Sequence, residues 1–290
     1  MNFEQFCNIL NKHIFEEEKR ELLRKIADSP QRFLGLFRPT KPNAKILQHL
    51  LQSHEIKFGN AMEELLSLFL KQWGYQVFDK IIFPDPSNLK RRLDIDQYFK
   101  IKESYYFIEQ KIRDDHDSSK KEGQIRNFEK KLEYLYQRHH QNLIGIMYFI
   151  DPDMAKNKDY YLRELKNMQE IYGVKLILLY GKELFEHFKK PDDWNNLILW
   201  LSKWKENLPE LPDINLDNNP QANFEKIKDL EIRCWRKILE NEKLWQEGII
   251  KVLFRNGTTL ILIKEFFKKK PERVYHLLAD LIEKRIKEYY

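Results

Sequence analysis

The sequence predicts a mixed α/β protein: a central mixed β-sheet flanked by helices, with an N-terminal helical region and a C-terminal helical subdomain. Two almost unbroken apolar runs, 143–150 and 174–180, have the length and continuity of strands buried on both faces. Amphipathic stretches with a period near 3.6 lie before, between and after them, and parallel strands require such crossovers. Two aromatic-rich runs, 93–101 and 105–112, are separated only by Lys102-Glu103-Ser104 and read as a β-hairpin.

The elements follow in order. Residues 2–28 place Phe3, Phe6, Ile9, Leu10, Ile14, Leu22, Leu23 and Ile26 at helical spacing, and Ser29-Pro30 ends the pattern. Arg38-Pro39-Thr40-Lys41-Pro42 reads as an extended connector. Helix resumes over 44–53, and Gly59 precedes a longer helix with Met62, Leu65, Leu66, Phe69 and Trp73 on one face, stopped at Gly74. Residues 75–83 read as a strand and Pro84-Asp85-Pro86-Ser87-Asn88 as a loop. After the hairpin, 120–138 is a charged amphipathic helix with Ile125, Phe128, Leu132 and Leu135 facing inward. Helix 157–172 joins the two apolar strands, and Gly181 turns the chain into a short helix at 182–188. Pro209, Pro212 and Pro220 mark 205–222 as a linker, and 223–290 reads as helical with a turn at Asn256-Gly257. The expected organisation is 1–54, an N-terminal helical region; 55–204, the core; 205–222, a linker; and 223–290, a helical subdomain.

Composition excludes several classes. In 290 residues, 42% are hydrophobic and 13% aromatic, enough for a large core and incompatible with disorder. No apolar run approaches the roughly 20 residues of a membrane helix, and the first residues lack the pattern of a secretory signal, so a soluble, cytosolic protein is expected. Cys7 and Cys234 alone cannot make a disulfide framework or a cysteine zinc site. Lys and Arg number 51 against 45 Asp and Glu, a charge of +6 that by itself names no partner.

The hairpin carries the chemistry. Alternation puts Asp94 and Asp96 on one face of the first strand, and Glu109 and Lys111 on one face of the second. With Lys102-Glu103 as a two-residue turn, Asp96 falls opposite Glu109 and Asp94 opposite Lys111; a turn shifted by one residue changes these partners, and the sequence leaves the register open. Like charges so placed repel, and a hard divalent cation such as Mg²⁺ resolves the conflict. Glu-x-Lys alone carries no such meaning: Glu17/Lys19, Glu55/Lys57, Glu129/Lys131 and Glu164/Lys166 have the same spacing and are expected to be solvated charge.

An Asp, a hairpin turn and Glu-x-Lys at the end of a hydrophobic strand resemble the PD-(D/E)XK nuclease superfamily, in a version similar to type II restriction endonucleases. The resemblance covers roughly residues 55–190. It implies a restriction-endonuclease-like core, with Asp96 or Asp94 and Glu109 holding Mg²⁺ and Lys111 acting on the attacking water. It also implies a glutamate on the preceding helix, Glu63 with Glu64 as the second choice, within Gly59-Asn60-Ala61-Met62-Glu63-Glu64-Leu65-Leu66. Leu179-Tyr180-Gly181-Lys182-Glu183-Leu184-Phe185 is similar to the closing strand-to-helix segment. No proline precedes Asp94 or Asp96, which leaves the choice between them open; Asp85, after Pro84, is a weaker third because no strand is expected to fix it.

Beyond the hairpin, Asp117-Ser118 suits a helix cap, and His116 among aspartates suits ion pairing. Arg113, Lys120, Lys121, Gln124 and Arg126 are placed along DNA beside the cleaved bond. Gln137, Arg138, His139, His140, Arg233 and Arg236 are all able to read bases; Lys268-Lys269-Lys270 reads as a solvated helix end, and Trp194, Trp200, Trp204, Trp235 and Trp245 as core. The resemblance implies double-stranded DNA as substrate, a homodimer for a palindromic site, and a methyltransferase protecting the cell's own DNA. A structure-specific or repair nuclease of the same fold, and a DNA-binding module without activity, are the rival readings.

Overall fold

The computed structural model describes every residue except Leu36, Arg38 and His116. In chain order the elements are α1 (Phe3–Phe15), α2 (Glu18–Asp28), α3 (Pro42–Gln72), β1 (Gln76–Val77), β2 (Ile82–Asp85), β3 (Asn88–Asp94), β4 (Gln97–Ile101), β5 (Ser104–Lys111), α4 (Ser118–His139), β6 (Leu143–Phe149), α5 (Lys158–Tyr172), β7 (Lys175–Tyr180), α6 (Glu183–His187) and α7 (Pro191–Glu206), followed by α8 (Pro220–Ile227), α9 (Ile232–Glu240), α10 (Glu242–Gln246), α11 (Ile249–Leu253), α12 (Thr258–Lys268) and α13 (Arg273–Tyr289). They form two compact units, Met1–Ile9 with Gly59–Asn207 and Leu10–Phe58 with Leu208–Tyr290. The mixed sheet flanked by helices that the apolar runs predict is present.

The first unit holds a sheet ordered β1-β4-β5-β6-β7. β4 runs antiparallel to both of its neighbours, β1 and β5, and β5, β6 and β7 are parallel. Ile101 pairs with Ser104, so Lys102-Glu103 is the two-residue turn expected of the hairpin. Alternation then divides β5 between two cores. Phe107 packs on Phe128 of α4, with Leu132, Leu135, Met147, Phe149, Tyr161 and Leu165 completing that side. On the opposite face, Gln110, Tyr148 and Ile150 meet Met62, Leu65, Leu66 and Phe69 of α3 with Phe185 and Leu197. Each fully buried Leu, Ile, Phe or Met among them contributes about 1.5–3 kcal/mol.

The backbone of β6 must come close to its neighbours at Gly145, where an added Cβ would sit 2.7 Å from Phe107 and 2.8 Å from Leu176. Gly145→Ala is therefore expected to cost about 1–3 kcal/mol by overpacking, measured as a lower urea midpoint at unchanged m-value.

In the second unit the core is helical: Leu22, Leu23, Ile26, Trp235, Ile238, Leu239, Ile249, Leu260, Ile263 and Ile282 are all buried together. Asp217, itself buried, accepts the Asn256 and Thr259 amides and fixes the start of α12. Trp235 and Trp245 are buried as expected, whereas Trp194, Trp200 and Trp204 of the first unit are half-buried.

The structure differs from the sequence reading in several places. Residues 2–28 form two helices, because Glu18 and Glu21 open a new first turn where the positive end of the helix dipole favours acids. The helices expected on either side of Gly59 are one helix of 31 residues. An internal glycine costs it about 1 kcal/mol, less than the burial of Leu50, Ala61 and Met62 around it supplies. Residues 75–83 divide between β1 and β2. The expected loop at 84–88 is instead the end of β2, a turn, and the start of β3, because Asp85 accepts both the amide and the hydroxyl of Ser87 and closes a ribbon. The run 93–101 likewise breaks into β3 and β4. The His116 expectation, and Arg38 of the connector, lie outside the described residues.

Candidate active site

The break at Ile95 decides which aspartate joins the hairpin. The β4–β5 ladder ends at Gln97↔Ile108, and the next position brings Asp96 level with Glu109. There Asp96 Oδ2 accepts the Gln110 amide at 2.8 Å. Asp94 belongs to the other sheet, paired with Ile82 in the β2–β3 ribbon, so the expected Asp94–Lys111 pairing is not formed. The cause is a change of partner strand: the Ile95 amide donates to Ile81 O, and only after it does the chain enter the main sheet. Asp94 is half-exposed and ion-paired with Lys80 at 2.6 Å.

Glu109 and Lys111 share the α4 side of β5. Lys111 Nζ lies 2.8 Å from Glu109 and 3.5 Å from Asp96, and donates to Gln110 O at 2.8 Å. A second ammonium comes from α4: Lys131 bonds to Glu109 Oε2 and lies 3.4 Å from Asp96 Oδ1. The side chains of Asp96, Glu109 and Lys131 are only 5%, 4% and 5% exposed. Lys131 is the residue the sequence reading misplaced, since Glu129/Lys131 was expected to be solvated. The signal was available: 128, 131, 132 and 135 fall on one helical stripe, and a lysine among Phe128, Leu132 and Leu135 must bring its charge inside.

Two carboxylates and two ammonium groups in a dry place perturb one another. Burial first, and the Glu109 charge second, push Asp96 up to about 6. Burial also disfavours ionised Glu109, but Lys111 and Lys131 together outweigh it and hold Glu109 below the usual range. Burial alone would lower both lysines; Glu109 and then Asp96 overcome it and keep each ammonium charged. Glu109, Lys111 and Lys131 are thus all ionised near neutral pH.

Glu63 of α3 stands at the margin. It binds Lys80 at 3.1 Å, its charge acts on Asp96 and Lys111, and its backbone carbonyl accepts Gln97 Nε2 at 2.6 Å. Lys80 so links Glu63 to Asp94. Glu64 is exposed on the helix. Asp85, expected to lack a strand to fix it, is held in β2 and buried; Lys130 at 2.7 Å, aided by Ser87, brings its carboxyl down to about 2 despite burial.

The residues expected to lie along DNA have mixed surroundings. Asp117 caps α4 through the Lys120 amide, as expected. Arg113, Lys120 and Arg126 are exposed, with Arg113 4.0 Å from Asp151 and Arg126 3.7 Å from Glu122. Lys121 lies over the Tyr160 ring, and Gln124 accepts the Tyr161 hydroxyl, which commits its oxygen to the fold. Among the possible base readers, His139 is stacked on Tyr105 at 3.7 Å and hydrogen-bonded to Tyr98.

Among the described residues no group of three His, Cys, Asp or Glu side chains is placed to hold a metal ion. The donor set, two adjacent carboxylates, is nevertheless one that Mg²⁺ uses, since it takes one or two carboxylates and fills its remaining positions with water and phosphate oxygens.

The mixed sheet thus gathers two buried carboxylates and two ammonium groups at the end of β5, the strand where its antiparallel and parallel parts meet. The chain matches the family model described as "Type II restriction endonuclease, HinfI" over residues 2–81 and 75–205. It belongs to the HinfI family of type II restriction endonucleases, which makes it a DNA endonuclease by family. No curated protein matches the chain. No helix among the described residues is long and apolar enough to cross a membrane.

Proposed function

We propose that this protein is a Mg²⁺-dependent, sequence-specific endonuclease of the PD-(D/E)XK type that cuts double-stranded DNA in the cytoplasm of a prokaryotic cell. The observation that carries the reading is the convergence of Asp96, Glu109 and Lys111 on one end of β5 in a chain of this family. Asp96 and Glu109 are assigned as the residues that hold Mg²⁺, which when bound polarises the scissile phosphate and acidifies a water. Lys111, kept charged by its two carboxylate neighbours, orients the attacking water and offsets negative charge growing on the phosphate. Glu63 supports the site through Lys80 and through its charge. Asp94 fixes Lys80 instead of holding the metal.

The enzyme acts as a homodimer on a twofold site, and a methyltransferase of the same specificity protects host DNA. The test is digestion of unmethylated phage DNA by the purified protein with Mg²⁺. Discrete fragments are expected; intact DNA across divalent metals and many substrates overturns the reading and leaves a binding module, while cutting confined to branched or damaged duplex favours a repair nuclease.

A further inference from the structure

The β2–β3 ribbon is a second place where this chain is equipped to meet DNA, and its residues Leu89 to Arg92 lie outside the set assigned above. It sits apart from the main sheet and leads through Ile95 directly into Asp96. Its register slips between Pro84 and Asp85: Pro84 pairs with Arg92, yet Asp85 pairs with Asn88. Leu89, Lys90 and Arg91 are therefore bulged out of the ladder, all exposed, with Leu89 at 79%. Bulges re-aim side chains and are frequent beside active sites.

The charge on the bulge has one sign. From Pro86 to Leu93 there is no acid. Lys90 and Arg92 have no ion-pair partner among the described residues, and Arg91 reaches Asp85 only at 3.9 Å. Charged residues commonly protect an open strand edge from pairing with another chain. Here Pro84 and the bulge already break the edge, and a solvent-exposed leucine beside the cations has no place in that role.

The ribbon is also rigidly mounted. Phe83 stacks on Tyr134 at 4.0 Å and 7°, and buried Asp85 takes Lys130 at 2.7 Å. A preorganised cationic surface binds without the cost of ordering a loop. A two-stranded ribbon fits the roughly 12 Å major groove of B-DNA. Asp96 lies four positions after Arg92, so their Cα atoms are at most about 14 Å apart, some four base-pair steps.

We propose that the β2–β3 ribbon enters the major groove beside the cut, where Arg92 and Lys90 contact base edges and Leu89 offers an apolar contact. This rests on the endonuclease reading and adds to it the element that reads sequence.

The experiment measures duplex affinity in Ca²⁺ for wild type, Arg92→Ala and Lys90→Ala, on the cognate duplex and on a scrambled one. The cognate sequence comes from the wild-type digest or, should wild type bind without cutting, from selection of bound duplexes. Both side chains are exposed, and equal melting temperatures will show that the variants fold. Arg92→Ala is expected to lose roughly 5- to 150-fold on the cognate duplex, with a much smaller loss on the scrambled one. Unchanged affinity, or the same loss on both duplexes, overturns base reading by the ribbon. Wild type that binds but never cuts sinks the endonuclease reading alone, while wild type that neither binds nor cuts sinks both.

Discussion

Glu109→Gln is expected to lower cleavage by at least about 10³-fold while leaving duplex affinity within a few-fold. The substitution keeps the shape of the side chain and removes the charge that pairs with Lys111 and Lys131. Loss of one preorganised electrostatic partner costs about 2.7–4 kcal/mol of transition-state stabilisation, roughly 10²–10³ in rate, and loss of a proposed Mg²⁺ ligand adds to it. Lys111→Ala should fall in the lower part of that range. The same assay separates the two aspartates. Asp96→Asn should match Glu109→Gln, because Asp96 shares both ammonium groups with Glu109. Asp94→Asn should stay within about tenfold of wild type, because its half-exposed ion pair with Lys80 is worth at most about 1 kcal/mol. Single-turnover cleavage rates, with anisotropy for binding, decide the matter. An active Glu109→Gln enzyme, or an Asp94→Asn enzyme as dead as Asp96→Asn, would show that the metal-holding residues have been assigned wrongly.

The hairpin was legible because two aromatic-rich runs flank a short polar connection; its register, which the sequence leaves open, is set in the structure by Ile101 pairing with Ser104, and that brings Asp96 level with Glu109. The limit of the ladder was not legible. No glycine or proline lies between Leu93 and Ile101, so nothing marks the point where the chain leaves β3 for β4. The switch is a tertiary event, set by the Ile95 amide reaching Ile81, and local propensity is blind to it. The ribbon was hidden by composition. Pro84, Pro86 and Asn88 are turn residues, yet in an isolated two-stranded ribbon proline needs no ladder partner and Asp85 supplies the turn itself. Gly59 misled in the same way, since a helix with enough buried side chains on either side runs through it. Lys131 is different in kind, for its address on the inward stripe of α4 was plain. Counting Glu-x-Lys spacings treated it as one charge among many, where helical periodicity singles it out.

Lys131→Met is expected to destabilise the metal-free protein by about 3–5 kcal/mol and to make its stability strongly dependent on divalent cations. In wild type, two ammonium groups balance Asp96 and Glu109, so the pair tolerates burial without a metal. Removing one of them leaves buried negative charge without a full complement, the circumstance in which breaking a buried pair is most costly. Methionine preserves the aliphatic packing between Phe128 and Leu135 on the helix stripe, so the loss reports charge rather than a cavity. A dication offered to the variant meets carboxylates with one competitor fewer and should bind more tightly than in wild type. Because a ligand stabilises the folded state by RT ln(1 + [L]/Kd), a tenfold gain in affinity adds about 1.4 kcal/mol at saturating concentration. Thermal melts in EDTA, Mg²⁺ and Ca²⁺ read this directly: the metal-induced rise in Tm should be several degrees larger for the variant than for wild type. Equal rises would mean that Lys131 and the cation do not compete for the same oxygens, and that this lysine serves the fold of α4 against β5 rather than the charge balance of the site.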